Sequence, residues 1–190
     1  MHIRFAKASD SAALLRIYAQ YIDTPITFEC VLPSEPAFAA RIAAIAAEYP
    51  YLVCEDQGKA VGYAYAHRQM EREAYQWNAE LSVYLDRGYT RRGLGGRLYR
   101  ILLDMLRLQG IRTVYAGVTV PNQASERLHE SMGFARLGTY HSTGYKAGGW
   151  HDVVWFEKAI APYTANPEPI RPIDRIDRER LEEIISRYAE

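Results

Sequence analysis

Between Gln76 and Leu85 the chain alternates strictly. Trp77, Ala79, Leu81, Val83 and Leu85 share one face, and Gln76, Asn78, Glu80, Ser82 and Tyr84 the other, which predicts a strand with a greasy side and a polar side. After Gly93 the period changes. Leu94, Leu98, Ile101, Leu102 and Met105 form one stripe, with Arg97, Arg100, Asp104 and Arg107 opposite, so a helix is expected up to Gly110.

The rest of the chain reads by the same two periods. Residues 3 to 8 alternate as a strand, and Ser9 or Asp10 caps a helix carrying Leu14, Ile17, Tyr18 and Tyr21. Thr24 to Pro33 is a loop, followed by an alanine-rich helix with Phe38, Ile42 and Ile45 at helical spacing. Two strands flank the turn at Gln57 and Gly58. Downstream come a strand from Ile111, a short helix stopped by Gly133, and two last strands, 135–145 and 150–158. Strands and helices alternate first and strands dominate the end, which predicts an α/β (α+β) domain, a mixed sheet with helices on its faces.

Past Lys158 the composition shifts to an extended stretch with Pro162, Pro167, Pro169 and Pro172. It ends in Leu181, Ile184, Ile185 and Tyr188 at helical spacing, so residues 1–160 are expected as the domain and 161–190 as a tail closing in a short amphipathic helix. With 190 residues and 48% hydrophobic composition, one core is the expectation. Formal net charge is zero and no basic arm occurs, so nucleic acid has no compositional support as a partner. No segment approaches the roughly 18 apolar residues that span a bilayer, and the N-terminus lacks the apolar stretch of a secretion signal. No membrane association and a cytoplasmic location are the expectations. Cys30 and Cys54 are too few for a disulfide framework or a tetrahedral metal site, and no histidine-pair metal motif or nucleophile elbow is present.

The stretch "GYTRRGLGGRLYR", 88–100, carries the most specific chemistry. Glycines between a strand and a helix let a ligand approach the main chain, and the first N–H groups of the helix have no partner within it. An anion is the natural occupant, with Arg91 and Arg92 adding charge. Neither of the two common nucleotide loops is matched: no Gly-Lys-Ser/Thr follows, and "GLGGRL" lacks the third glycine of the dinucleotide fingerprint.

"AELSVYLDRGYTRRGLGGRLYRILLDML", with "VPNQASERLHESMGF" downstream, resembles the acetyl-CoA-binding core of the GNAT superfamily. "AYQWNAELSVYL", "PNQASERLHESMGF" and "GYKAGGWHDVVWF" resemble its phosphinothricin and methionine sulfoximine N-acetyltransferase branch, over about residues 2 to 160. The resemblance implies a mostly antiparallel central sheet with splayed central strands, a homodimer, and transfer of acetyl from acetyl-CoA to the α-amine of a small amino acid or analogue. No metal is implied. Thr90 departs from the glutamine or arginine usual there.

The same resemblance assigns roles. Arg91, Arg92, Gly93, Leu94, Gly95 and Gly96 would cradle the pyrophosphate, while main-chain groups of Val83, Tyr84 and Leu85 would polarise the thioester carbonyl. Asn122 would touch the cofactor; on sequence alone it is a helix N-cap worth about 1 kcal/mol. Glu80 would be the general base, where otherwise it is a solvated carboxylate of the polar face. His129 takes the place of a tyrosine thought to protonate the departing thiolate, as acid or substrate contact, against the plainer reading of a helix-surface histidine. Arg72, Tyr75, Phe28 and Glu29 match positions near the acceptor, and an arginine suits bidentate recognition of a carboxylate or phosphinate. Two alternatives stay open: acetylation of another amine (a polyamine or a protein N-terminus), and a non-catalytic acyl-CoA sensor, which would need the turn but not Glu80.

Overall fold

The computed structural model describes residues 1–188, and the last two residues of the expected tail lie outside the described residues. In chain order the elements are β1 (His2–Phe5), α1 (Ser11–Ala19), α2 (Glu35–Glu48), β2 (Tyr51–Asp56), β3 (Lys59–Arg68) and β4 (Asn78–Leu85). They continue with α3 (Leu94–Gln109), β5 (Thr113–Val120), α4 (Gln123–Ser131), β6 (Ala135–Lys146), β7 (Gly149–Ala159) and α5 (Arg178–Arg187). The strands form one sheet in the order β1-β2-β3-β4-β5-β7-β6. Every neighbouring pair is antiparallel except β4 and β5, and only that pair needs a long crossover, which α3 supplies. The expected mixed, mostly antiparallel sheet is the one found.

Because the side-chain period of a strand is two, each central strand feeds two cores. On β2, Leu52 and Cys54 pack with Ala64, Ala79, Leu81 and Val114 under Leu98, Ile101, Leu102 and Met105 of α3. Tyr51 and Val53 turn the other way and meet Leu14, Ile17, Phe38 and Ile42 of α1 and α2. Burial on both faces explains why β2 reads as a continuous apolar run while β4 alternates.

The proline-rich stretch is not a free linker. Its main chain is stitched to the base of the sheet: Trp77 Nε1 donates to the Glu168 carbonyl at 2.9 Å, the Ile170 N–H to Gln76 Oε1 at 3.2 Å, and the Arg171 N–H to the Gln109 carbonyl at 2.9 Å. Asp177 caps α5 by accepting the Glu179 N–H at 2.9 Å. Ile173, Ile176, Leu181 and Ile184 are buried in the same core as α3. No helix among the described residues is long and apolar enough to cross a membrane.

Candidate active site

The parallel ladder between β4 and β5 is short. It joins Asn78 to Thr113, Ala79 to Val114 and Glu80 to Tyr115, and then stops, although β4 runs on to Leu85 and β5 to Val120. Beyond Tyr115 the edge of β5 toward β4 has no ladder partner, and a cavity of about 70 Å³ opens in the gap. Its walls begin where the pairing ends: Leu81 to Tyr84 from β4 and Ala116 to Thr119 from β5. At Gly117 of the β5 wall the missing side chain faces Trp155 and Val153 of β7 at ordinary contact distance. Main-chain amides exposed by such a split are free to hydrogen-bond a ligand carbonyl.

Glu80 sits at the last rung. On its other side it stands opposite His67 of β3, and Tyr65 and Ser82 are the next cross-strand pair on the same face. Burial pushes the Glu80 carboxyl above its ordinary range, and the electrostatic influence of His67 pulls it partly back. The group is therefore a better proton acceptor than a solvated carboxylate.

On the α4 side the cavity is closed by Tyr99, Asn122, Ser125 and His129. His129 is not a helix-surface residue: it is 2% exposed and stacks on Phe156 at 5.2 Å between centroids. Its Nδ1 lies 2.8 Å from the Ser125 carbonyl, which can only accept, so this nitrogen carries the proton and Nε2 is the acceptor. The Tyr99 hydroxyl lies 3.3 Å from Nε2 and supplies the matching donor. Desolvation pushes the imidazole pKa down and the Tyr99 hydroxyl pKa up. Both shifts favour the neutral forms, in which the Tyr99 hydroxyl donates and His129 Nε2 accepts. Tyr99 is the site residue that sequence reading missed: on the helical pattern it is one more core aromatic, and only the packing of α3 on α4 aims its hydroxyl at His129. Asn122 caps α4 by accepting the Ser125 N–H at 3.2 Å and still lines the cavity, leaving its amide NH2 for a ligand.

The glycine turn lies past the far end of β4. Gly93, at φ 76°, is the N-cap of α3 and offers no side-chain cap, whereas α2, α4 and α5 are each capped by a side chain, Ser34, Asn122 and Asp177. The first-turn N–H groups of α3 are thus open to an external anion. The features expected of the turn divide between ligand and packing. Leu94 is buried in the core, and Gly95 is also buried, its absent side chain facing Leu128 of α4, where a Cβ would come within 3.3 Å. What these two residues present toward a ligand is main chain. Arg92 lies over the Tyr89 ring at 4.6 Å, and Arg91 adopts φ 60° in the exposed bend. Open amides, two arginines and a split ladder fit the phosphate and thioester ends of acetyl-CoA.

The expected acceptor residues do not all converge. Phe28 and Glu29 lie on the loop after α1, whose Ile26 lines the cavity, and Glu29 pairs with Arg41 of α2 at 2.5 Å. Arg72 and Tyr75 sit exposed on the connection between β3 and β4, at the Glu80 end of the ladder, and neither lines the cavity. The Leu85 carbonyl is already taken by the Tyr21 hydroxyl at 2.5 Å, so of that residue only the amide is left for a ligand.

Comparison with known proteins places this geometry. A family model described as an acetyltransferase (GNAT) domain matches residues 3–155. The chain is 37% identical over 177 residues to a phosphinothricin N-acetyltransferase of Streptomyces viridochromogenes, covering 93% of this chain and 96% of that enzyme. It is 30% identical to an L-methionine sulfoximine/L-methionine sulfone acetyltransferase of Salmonella typhimurium, over 87% of this chain and 98% of the relative. A GNAT superfamily phosphinothricin acetyltransferase of Sinorhizobium meliloti, solved in complex with acetyl-CoA, superposes with a TM-score of 0.82 at 30% identity, covering 90% of this chain and 97% of that one.

Proposed function

The chain belongs to the GNAT family and is an acetyl-CoA-dependent N-acetyltransferase; on that premise we propose that its acceptor is the α-amine of a small amino acid or analogue of the phosphinothricin, methionine sulfoximine or methionine sulfone type. The observation that carries the reading is the split ladder with Glu80 at its last rung, in a chain that matches amino-acid-analogue acetyltransferases over most of its length.

Acetyl-CoA supplies an acetyl group already activated as a thioester. The turn Arg91 to Gly96 holds its pyrophosphate on the open amides of α3, and Asn122 adds its side-chain amide. Main-chain N–H groups of Val83 and Leu85, on the edge of β4 turned toward β5, stabilise the negative charge that develops on the carbonyl oxygen, whereas the Tyr84 N–H is turned into the β3 ladder. An amine of pKa about 9 is mostly protonated at neutral pH and cannot attack, so Glu80 takes that proton, directly or through one water. Raised by burial, its carboxylate is suited to the task. Tyr99 holds a proton at its hydroxyl, oriented by His129 Nε2, and can turn that donor toward a negative sulfur. Arg72 and Tyr75, from the connection that ends beside Glu80, hold the anionic end of the acceptor, with Phe28 and Glu29 on the opposite wall. A sensor without turnover would have no use for a carboxylate buried at the splay.

We also propose that the protein acts as a homodimer in the cytoplasm. In support, the edge hairpin of β6 and β7 leaves Leu137, Tyr140, Tyr145 and Trp150 each more than half exposed, an apolar surface on an unpaired strand edge. Light scattering at micromolar concentration tests the dimer.

A thiol-release assay tests the acceptor, run over the standard amino acids, phosphinothricin, methionine sulfoximine and methionine sulfone, with spermidine and a short peptide as rivals. The amino-acid analogues are expected to turn over fastest. A peptide or polyamine far ahead of every analogue overturns the substrate class.

A further inference from the structure

Lys146, at the end of β6, is 6% exposed. Burying an ammonium is costly unless it finds acceptors. The acceptor found for Lys146 is no carboxylate: Nζ donates to the main-chain carbonyl of Thr27 at 2.6 Å, 119 residues away in sequence. Thr27 belongs to the loop joining α1 and α2, a stretch without regular structure that would otherwise be expected to move. It is also fixed through its side chain, whose hydroxyl lies 2.6 Å from that of Tyr18 on α1 and accepts the Glu29 N–H at 3.2 Å.

A second anchor lies beside the first. Phe28 fills the notch over Gly144, two residues before Lys146 and on the same face of β6. A Cβ at Gly144 would come within 2.5 Å of Phe28 Cζ, so the ring fits there only because the residue is glycine. His151, opposite Gly144 on β7, faces the Phe28 ring at 6.4 Å and holds the Lys146 carbonyl from Nε2 at 2.9 Å. The loop is therefore pinned to the β6–β7 hairpin at two consecutive residues. Ile26, just before them, is part of the cavity wall, and Glu29, just after, is paired with Arg41.

We propose that Lys146 is a positioning residue for acetyl transfer: its bond to the Thr27 carbonyl, with Phe28 seated on Gly144, sets the loop of Ile26 to Glu29 at the distance from the cavity that the acceptor requires. This rests on the reading that the acceptor binds beside that loop. The hairpin thereby acts on acceptor affinity without touching acetyl-CoA, whose contacts lie on the α3 and α4 side of the sheet.

The test uses the full chain with Lys146→Met, which keeps length and removes the donor. Hydrogen exchange of amides 24–33, acetyl-CoA affinity and steady-state kinetics with the best amino-acid acceptor are measured in parallel. Faster exchange in the loop is expected, with acceptor KM raised about tenfold, kcat within about threefold and acetyl-CoA affinity unchanged. Gly144→Ala displaces Phe28 with Lys146 intact and should move exchange and acceptor KM in the same direction; it decides the matter if Lys146→Met does not fold. Wild-type exchange or wild-type acceptor KM in a folded variant overturns the proposal, as does an equal loss of acetyl-CoA affinity. Should the wild-type enzyme acetylate no amino-acid acceptor, the proposed substrate class fails on its own, and loop exchange alone then decides whether Lys146 moors the loop.

Discussion

Glu80 and His67 stand opposite each other across the antiparallel β3–β4 ladder, one rung from the point where β4 parts from β5. Burial raises the carboxyl and the electrostatic influence of His67 lowers it, so the two strands set the strength of the base between them. Tyr65 of β3, Tyr115 of β5 and Tyr99 of α3 lie on the neighbouring elements, and burial raises the pKa of each phenol above its ordinary value.

The Glu80 shift has a stability consequence of fixed sign. A carboxyl raised by folding binds more protons in the native than in the unfolded state, so its ionisation costs stability as pH rises from the ordinary carboxylate range through the folded pKa. Glu80→Gln should therefore melt higher than wild type at pH 7, and the advantage should shrink as pH falls through the raised Glu80 pKa and be gone once the ordinary carboxylate range is reached. The same variant should lose about 100-fold or more in turnover at neutral pH and recover partly as pH approaches that of the free amine. His67→Gln removes the side chain whose electrostatic influence lowers Glu80, so the acid limb of kcat/KM should move to higher pH. Wild-type turnover of Glu80→Gln at every pH would remove Glu80 from the role of base.

The two glycines of the turn should separate binding from folding. Gly93 is at φ 76° with open space around its Cα, so alanine there strains the N-cap by about 1 kcal/mol and tilts the open amides. Gly93→Ala is expected to weaken acetyl-CoA binding, read by calorimetry, with a small fall in melting temperature. Gly95→Val should do the reverse, because its side chain enters the contact with Leu128 between α3 and α4. Unchanged affinity in Gly93→Ala would disconnect this turn from the cofactor.

The tail should behave as part of the core. Ile184 is 5% exposed in the cluster that contains α3, so Ile184→Ala is expected to cost about 2 to 4 kcal/mol and lower the melting temperature by about 5 °C or more. Truncation after Pro162 removes Ile173, Ile176, Leu181 and Ile184 together and should cost more. A truncated chain melting with the wild type would mean that α5 contributes nothing to the fold.

The sequence by itself determined the elements and the chemistry they carry. Alternation from Gln76 to Leu85 marked β4, the stripe from Leu94 to Met105 marked α3, and the motifs around Glu80, Gly93 and Asn122 carried the family, because period and turn chemistry are local properties of consecutive residues. Leu181 and Ile184 announced an amphipathic helix, but not that α3 of the same chain would cover it. What only the tertiary structure decided involves residues far apart in the chain. That β4 and β5 pair for three rungs and then part, that His129 is buried and neutral against Tyr99, that Gly95 serves Leu128, and that Lys146 reaches Thr27 all depend on how separate elements meet. A pattern of single residues fixes which face a side chain takes. Its partner, and with it burial and protonation state, exists only once the layers have packed.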